Sequence, residues 1–188
     1  MRGEGATLID AVKEAIAVGR EAGMPVQISH LKAAGRPNWG KVADALSLID
    51  AARLEGLDVL ADAYPYTASS TSMRTLLPDS ALEGGVDAML ERLRDSGGRA
   101  TIREALTSSR GESMPLRVGW ENIMLVSMAT RRDAEGRRLT EVAAARRREP
   151  VDTLLDLLVE EGGRGGVILF QMDEGRSEER RVGKECRL

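Results

Sequence analysis

Helix-like and strand-like stretches alternate over the first three-quarters of the chain, joined by short connections. No other feature limits the fold as strongly. Leu8, Ile9, Val12, Ile16 and Val18 recur at helical spacing over 6–22, and Gly23 is a suitable stop. Pro25-Val26-Gln27-Ile28-Ser29-His30 reads as a short strand. A turn, Ala34-Gly35-Arg36-Pro37-Asn38, follows. Asn38 is expected to cap a helix with Val42, Leu46, Ile49 and Ala52 on its apolar face. Gly56 ends that helix, and 57–62 reads as the next strand. Strands linked through a helix by short connections predict a parallel sheet with crossover helices, an α/β fold. Both an open sheet and a closed barrel use this unit, and periodicity does not choose between them.

The middle of the chain is less regular. The stretch 67–72 reads as a polar turn, and 79–109 as two or three short helices around Met89, Leu90, Leu93, Ile102 and Leu106. Ile123-Met124-Leu125-Val126 is a strand candidate, and the basic stretch 131–138 is expected to be a solvated loop. Residues 139–161 form helices broken by Pro150, with Val151, Leu154, Leu155 and Leu158 on one face. Glu160 and Glu161, near the helix end, are expected to face solvent. Val167-Ile168-Leu169-Phe170 is the last strand candidate. Trp39 and Trp120 are expected to be packing anchors.

Composition removes several function classes. No apolar run approaches the ~18 residues of a spanning helix. Met1-Arg2-Gly3-Glu4-Gly5 lacks the apolar core of a secretory signal. The cytoplasm is the expected compartment. Net charge is −3, from 27 basic and 30 acidic residues, which argues against nucleic-acid or membrane partners. The single cysteine, Cys186, excludes a disulfide framework and a cysteine-rich zinc site.

The chain has one histidine, His30. It stands at the C-terminal end of a strand, the end that forms the active-site face in α/β barrels. A neutral imidazole there can bind zinc; a histidine without a ligand is the competing reading. Lys32, two residues on, leaves the strand end on the same side and can bind a carboxylate, or be an ordinary solvated lysine. The stretch 62–72 holds both tyrosines, Tyr64 and Tyr66, and a cluster of hydroxyls. It can orient an anionic head group or be a Pro-punctuated turn. No phosphate-binding glycine loop and no nucleophile elbow is present.

Joined in order, four segments resemble the N-acyl-D-amino-acid deacylases (D-aminoacylases) of the amidohydrolase superfamily. They are Val26-Gln27-Ile28-Ser29-His30-Leu31-Lys32; Gly35 with Asn38-Trp39-Gly40; Asp62-Ala63-Tyr64-Pro65-Tyr66-Thr67 with Ser69-Ser70-Thr71; and Gly166-Val167-Ile168-Leu169-Phe170-Gln171-Met172. The resemblance implies a metal-dependent (β/α)8 TIM barrel. It implies a zinc-activated water attacking the amide of an N-acyl-D-amino acid, yielding a carboxylic acid and a free D-amino acid. By this resemblance His30 is a zinc ligand, Lys32 and Tyr64 hold the substrate α-carboxylate, and Ser70 assists them.

The family also carries a His-x-His pair, a metal-binding cysteine and a catalytic aspartate that have no counterpart in this chain. A barrel needs ~250 residues. The expectation is therefore a partial barrel over 1–175, incomplete at both ends, with an irregular helical insertion at about 67–120 and the base beyond the chain. Such a piece is expected to be inert alone. Residues 176–188 lack any apolar pattern and resemble a translated sequencing adapter, a non-native tail. Two other readings stay open: an amidohydrolase of the dihydroorotase or hydantoinase kind acting on cyclic amides, and a non-enzymatic α/β binding module.

Overall fold

The computed structural model describes residues 2–108 and 113–172. The tail expected at 176–188, with Cys186, lies outside the described residues. The chain divides into two compact units, one of residues up to Thr67 together with Gln171 and Met172, the other Ala68–Phe170.

The first unit is a strand–helix–strand crossover preceded by a helix. Helix α1 spans Leu8–Ala22, β1 Val26–Ile28, α2 Lys41–Leu54 and β2 Val59–Ala61. β1 and β2 pair in parallel, Val26 against Val59 and Ile28 against Ala61. Leu8, Val12, Ile16 and Gly19 line the buried stripe of α1, at steps of three or four residues. Val18 falls two residues after Ile16, on the opposite face, and is exposed. Val42, Ala45, Ile49 and Ala52 bury the matching stripe of α2. Together with Ile28, Leu31 and Val59 they form one core.

Gly19 marks the closest approach of α1 to β1. A Cβ there would lie 2.2 Å from Val26 Cγ2 and 3.1 Å from the Met24 carbonyl oxygen. Gly19→Ala is therefore expected to cost about 1–2 kcal/mol by overpacking, although alanine is the better helix former. A lowered urea midpoint with unchanged slope is the expected readout.

Asn38 does not cap α2; Gly40, at φ 95°, holds that place. Asn38 lies in a 3-10 turn two residues earlier. Its amide donates to the Ala34 carbonyl at 2.8 Å and its Oδ1 accepts from Lys41 Nζ at 2.9 Å. The side chain is thus spent on tying the loop after β1.

The second unit contains β3 (Ala68–Ser72), α3 (Asp79–Leu82), α4 (Gly85–Arg94), α5 (Ser96–Thr107), α6 (Met114–Val118), β4 (Ile123–Val126), α7 (Leu139–Arg146), α8 (Pro150–Glu160) and β5 (Gly166–Phe170). Its sheet has the order β3-β5-β4 and is antiparallel throughout. Among the described residues, the expected parallel pairing therefore holds for β1 and β2 only. The stretch expected to be a polar turn is the strand β3, with Ser70 opposite Ile168. Its small hydroxyl residues carry no apolar alternation, so only the partner strand, remote in sequence, reveals it. Pro150 starts α8 at the first turn, where its missing N–H costs nothing. Leu154, Leu155 and Leu158 of α8 meet Leu93, Leu106, Leu125, Leu139 and Leu169 in the core. Trp120 packs partly against that core.

One expectation about this unit is refined and one is overturned. The basic stretch 131–138 is a largely exposed loop, as expected, but it is tethered: its backbone returns along β4, the Arg137 carbonyl accepting from Leu125 N–H at 2.9 Å, and the Arg138 guanidinium lies 3.9 Å from the Phe170 ring centroid. Glu161 is not solvent-facing but completely buried. Its carboxylate accepts the backbone N–H groups of Ala129, Thr130 and Arg131 at 2.6–3.1 Å. Neighbouring Glu160 faces outward and receives both Arg131 and Arg146.

Candidate active site

β1 stops at Ile28, and Ser29 and His30 form a turn beyond its C-terminal end. His30 has φ 57°, the left-handed region that residues other than glycine seldom adopt, although histidine is among those that enter it more readily. The group that holds the turn is Asp62, just past β2. Its Oδ1 accepts the His30 backbone N–H at 2.8 Å, and its other oxygen accepts the Gln27 amide at 2.9 Å. Backbone bonds run both ways, Asp62 N–H to the Ile28 carbonyl at 3.1 Å and Leu31 N–H to the Asp62 carbonyl at 2.8 Å. The His30 N–H is the main reason the Asp62 carboxyl sits below its ordinary value; slight burial opposes it, and Gln27 adds to it.

His30 itself is exposed. Its ring centroid is 5.8 Å from that of Tyr64, tilted by 55°. Tyr66, largely exposed, stacks on Tyr64 with centroids 6.5 Å apart. Lys32 runs the other way, into the protein, with only 6% of its side chain accessible. Its ammonium pairs with the Glu4 carboxylate, donates to the His30 carbonyl at 3.2 Å, and lies 5.5 Å from the Tyr64 ring centroid. The loop that follows is anchored by Gly35 N–H to the Gln171 carbonyl at 3.0 Å and by Trp39 Nε1–H to the same oxygen at 3.2 Å. Trp39 is 39% exposed and carries Arg36 over its ring, so it is a clasp rather than a core anchor.

Three of the four expected site residues thus gather in the first unit: His30, Lys32 and Tyr64. Ser70 belongs to the second unit, exposed on β3. Asp62 and Glu4 were not expected as site residues. Asp62 had a signal, an acidic residue at the end of a strand parallel to the one carrying His30. Glu4 had none, standing 28 residues before Lys32.

A zinc site takes three or four protein ligands. Among the described residues no group of three His, Cys, Asp or Glu side chains converges. Both Asp62 oxygens are already occupied by protein donors. The described residues thus supply one imidazole and do not by themselves make a metal site.

No family model matches the sequence. Over 74 residues the chain is 46% identical to a D-aminoacylase of Alcaligenes xylosoxydans xylosoxydans, a stretch that is 39% of this chain and 15% of that protein. Over 81 residues it is 46% identical to an N-acyl-D-glutamate deacylase of the same organism, 43% of this chain and 16% of that protein. Among solved structures, the N-acyl-D-glutamate deacylase of Bordetella bronchiseptica, complexed with zinc and a phosphonate mimic of the tetrahedral intermediate, aligns with a TM-score of 0.66 at 26% identity, over 98% of this chain and 29% of that one. A D-aminoacylase described as defining a novel subset of amidohydrolases aligns with a TM-score of 0.60 at 29% identity, over 96% of this chain and 28% of that one. The chain therefore spans less than a third of the proteins it matches. In sequence over about two-fifths of its length, and in fold over nearly all of it, the chain is similar to N-acyl-D-amino-acid deacylases.

Proposed function

We propose that the protein carrying this stretch hydrolyses the amide bond of N-acyl-D-amino acids, releasing a carboxylate and a free D-amino acid. The observation that carries the reading is the grouping of a buried ammonium, a phenol and an exposed imidazole past the C-terminal ends of two parallel strands. That is the end where α/β barrels build their sites, and β1 and β2 are read as two neighbouring strands of a (β/α)8 barrel.

Lys32 and Tyr64 are read as the subsite for the substrate α-carboxylate. An ammonium has three N–H donors. Among the described residues Glu4 and the His30 carbonyl take two of those on Lys32, leaving one for a ligand. A directed cation beside a phenol holds a carboxylate at two points, which sets the handedness of the α-carbon that can present its amide to the reacting centre. Ser70 is proposed to assist. His30 is read as one ligand of a metal centre, and zinc is favoured by the zinc complex of the Bordetella relative. When bound, such an ion would activate water and polarise the amide carbonyl. The residues of this stretch bind and orient.

The test compares the whole protein with the 188-residue chain. The whole protein is expected to release D-amino acids from N-acetyl-D-amino acids, not from the L-enantiomers, and to lose this activity on chelation and regain it with zinc. The 188-residue chain is expected to release none. Preference for cyclic amides such as hydantoins, or hydrolysis of neither class, would overturn the reading.

A further inference from the structure

We propose that Glu4 is the positioning residue for Lys32: its carboxylate and the His30 carbonyl fix two of the ammonium's three N–H bonds, so that the third is presented to the substrate α-carboxylate. This deepens the deacylase reading and rests on it.

The pair is unlike the other ion pairs of its unit. Arg2–Glu14, Arg20–Glu55 and Arg53–Asp50 join side chains that are about half exposed or more, and such pairs are worth little. Lys32 is buried along its whole stem, and its partner comes from 28 residues away. Glu4 is also held by its backbone: its carbonyl accepts the Ala34 N–H at 2.6 Å, within the loop that carries Lys32. Leu31, Ala33 and Ala34 around that bond are buried. The Glu4 side chain is 39% accessible; its backbone is held by Ala34 and its carboxylate by the buried Lys32 ammonium.

The arrangement also changes what Lys32 is. A free lysine is a mobile point charge on four methylenes. Paired with Glu4 it is locally neutral, and what remains is a donor with a direction. A substrate carboxylate is then recognised by geometry as well as by charge, beside the Tyr64 ring 5.5 Å away.

The experiment uses the whole protein and two substrates, an N-acetyl-D-amino acid and its α-carboxamide, and reads the ratio of their kcat/KM values. Glu4→Ala is expected to lower that ratio about tenfold, chiefly through KM for the acid, as loss of one charge-assisted contact would do. Glu4→Gln keeps an acceptor without the charge and is expected to recover part of the loss. Should Glu4→Ala not fold, the isosteric Gln variant carries the test alone. A ratio unchanged in the folded variants, whether both substrates slow together or neither does, would make Glu4 merely structural and overturn the proposal. A ratio that rises would also overturn it, because Glu4 would then be a competitor for Lys32. If the wild-type protein deacylates neither substrate, the deacylase reading itself fails. Wild-type hydrolysis with an unmoved ratio removes only the role of Glu4.

Discussion

Lys32→Met is expected to lower kcat/KM for N-acyl-D-amino acids about 100-fold, mostly through KM. Methionine keeps the length and apolar stem of the buried side chain, so packing among Leu31, Ala33 and Ala34 is largely conserved. What is lost is the ammonium, and with it a charge-assisted contact to the substrate and the charge facing Glu4. Together these are worth about 3 kcal/mol, and each 1.4 kcal/mol is tenfold. The α-carboxamide substrate, which brings no charge, is expected to lose far less. Steady-state kinetics on both substrates check this, with circular dichroism to establish that the variant folds. Equal loss on both substrates would remove Lys32 from carboxylate binding.

Glu161→Ala is expected to destabilise the protein by about 3 kcal/mol. The wild-type carboxylate is fully buried at the end of α8 and takes up the N–H groups of three consecutive residues, Ala129, Thr130 and Arg131. Hydrogen bonds to an ionised acceptor are roughly twice as strong as neutral ones. Truncation removes all of them at once, although Ala129 and Thr130 are exposed enough for water to replace part of the loss. Urea unfolding measures the effect; a change below about 0.5 kcal/mol would show that the cap is idle.

The same carboxylate predicts an acid limit. Burial pushes the Glu161 carboxyl up, but the N–H groups of Arg131, Thr130 and Ala129 outweigh it, and the net displacement is below the ordinary value of 4.5. A carboxyl with a depressed value in the folded state binds fewer protons there than in the unfolded chain. Its stabilisation is therefore complete above pH ~4.5 and is lost as pH falls through the lower, folded value. Glu161→Ala is expected to flatten the pH dependence of stability in that acid window while leaving the slope near neutrality unchanged.

The contrast between Glu160 and Glu161 shows why part of the fold was legible and part was not. Both stand at the end of an apolar helix, and nothing local separates them. Glu160 meets the arginines Arg131 and Arg146, whereas Glu161 meets a loop some thirty residues earlier. β3 is a similar case. Ala68-Ser69-Ser70-Thr71-Ser72 reads as a turn until Phe170 to Gly166 is laid against it. By contrast, β4 and β5 were readable because an apolar run between breakers identifies itself. The α1–β1–α2–β2 succession was readable for the same reason.

At the site, position alone left His30, Lys32 and Tyr64 with ordinary readings, and the motif resemblance singled them out; the expected shared side of His30 and Lys32 does not hold, because Lys32 runs inward. The support beneath them was not legible. Asp62 holds His30 in its left-handed turn, and Glu4 holds Lys32. Periodicity and spacing are local quantities, so the chain alone determined its helices and its parallel pair, and its motifs named the three side chains by resemblance. Which carboxylate faces which donor depends on the approach of segments distant in sequence. That was decided only when the cores closed and left Glu4, Asp62 and Glu161 as the acceptors within reach.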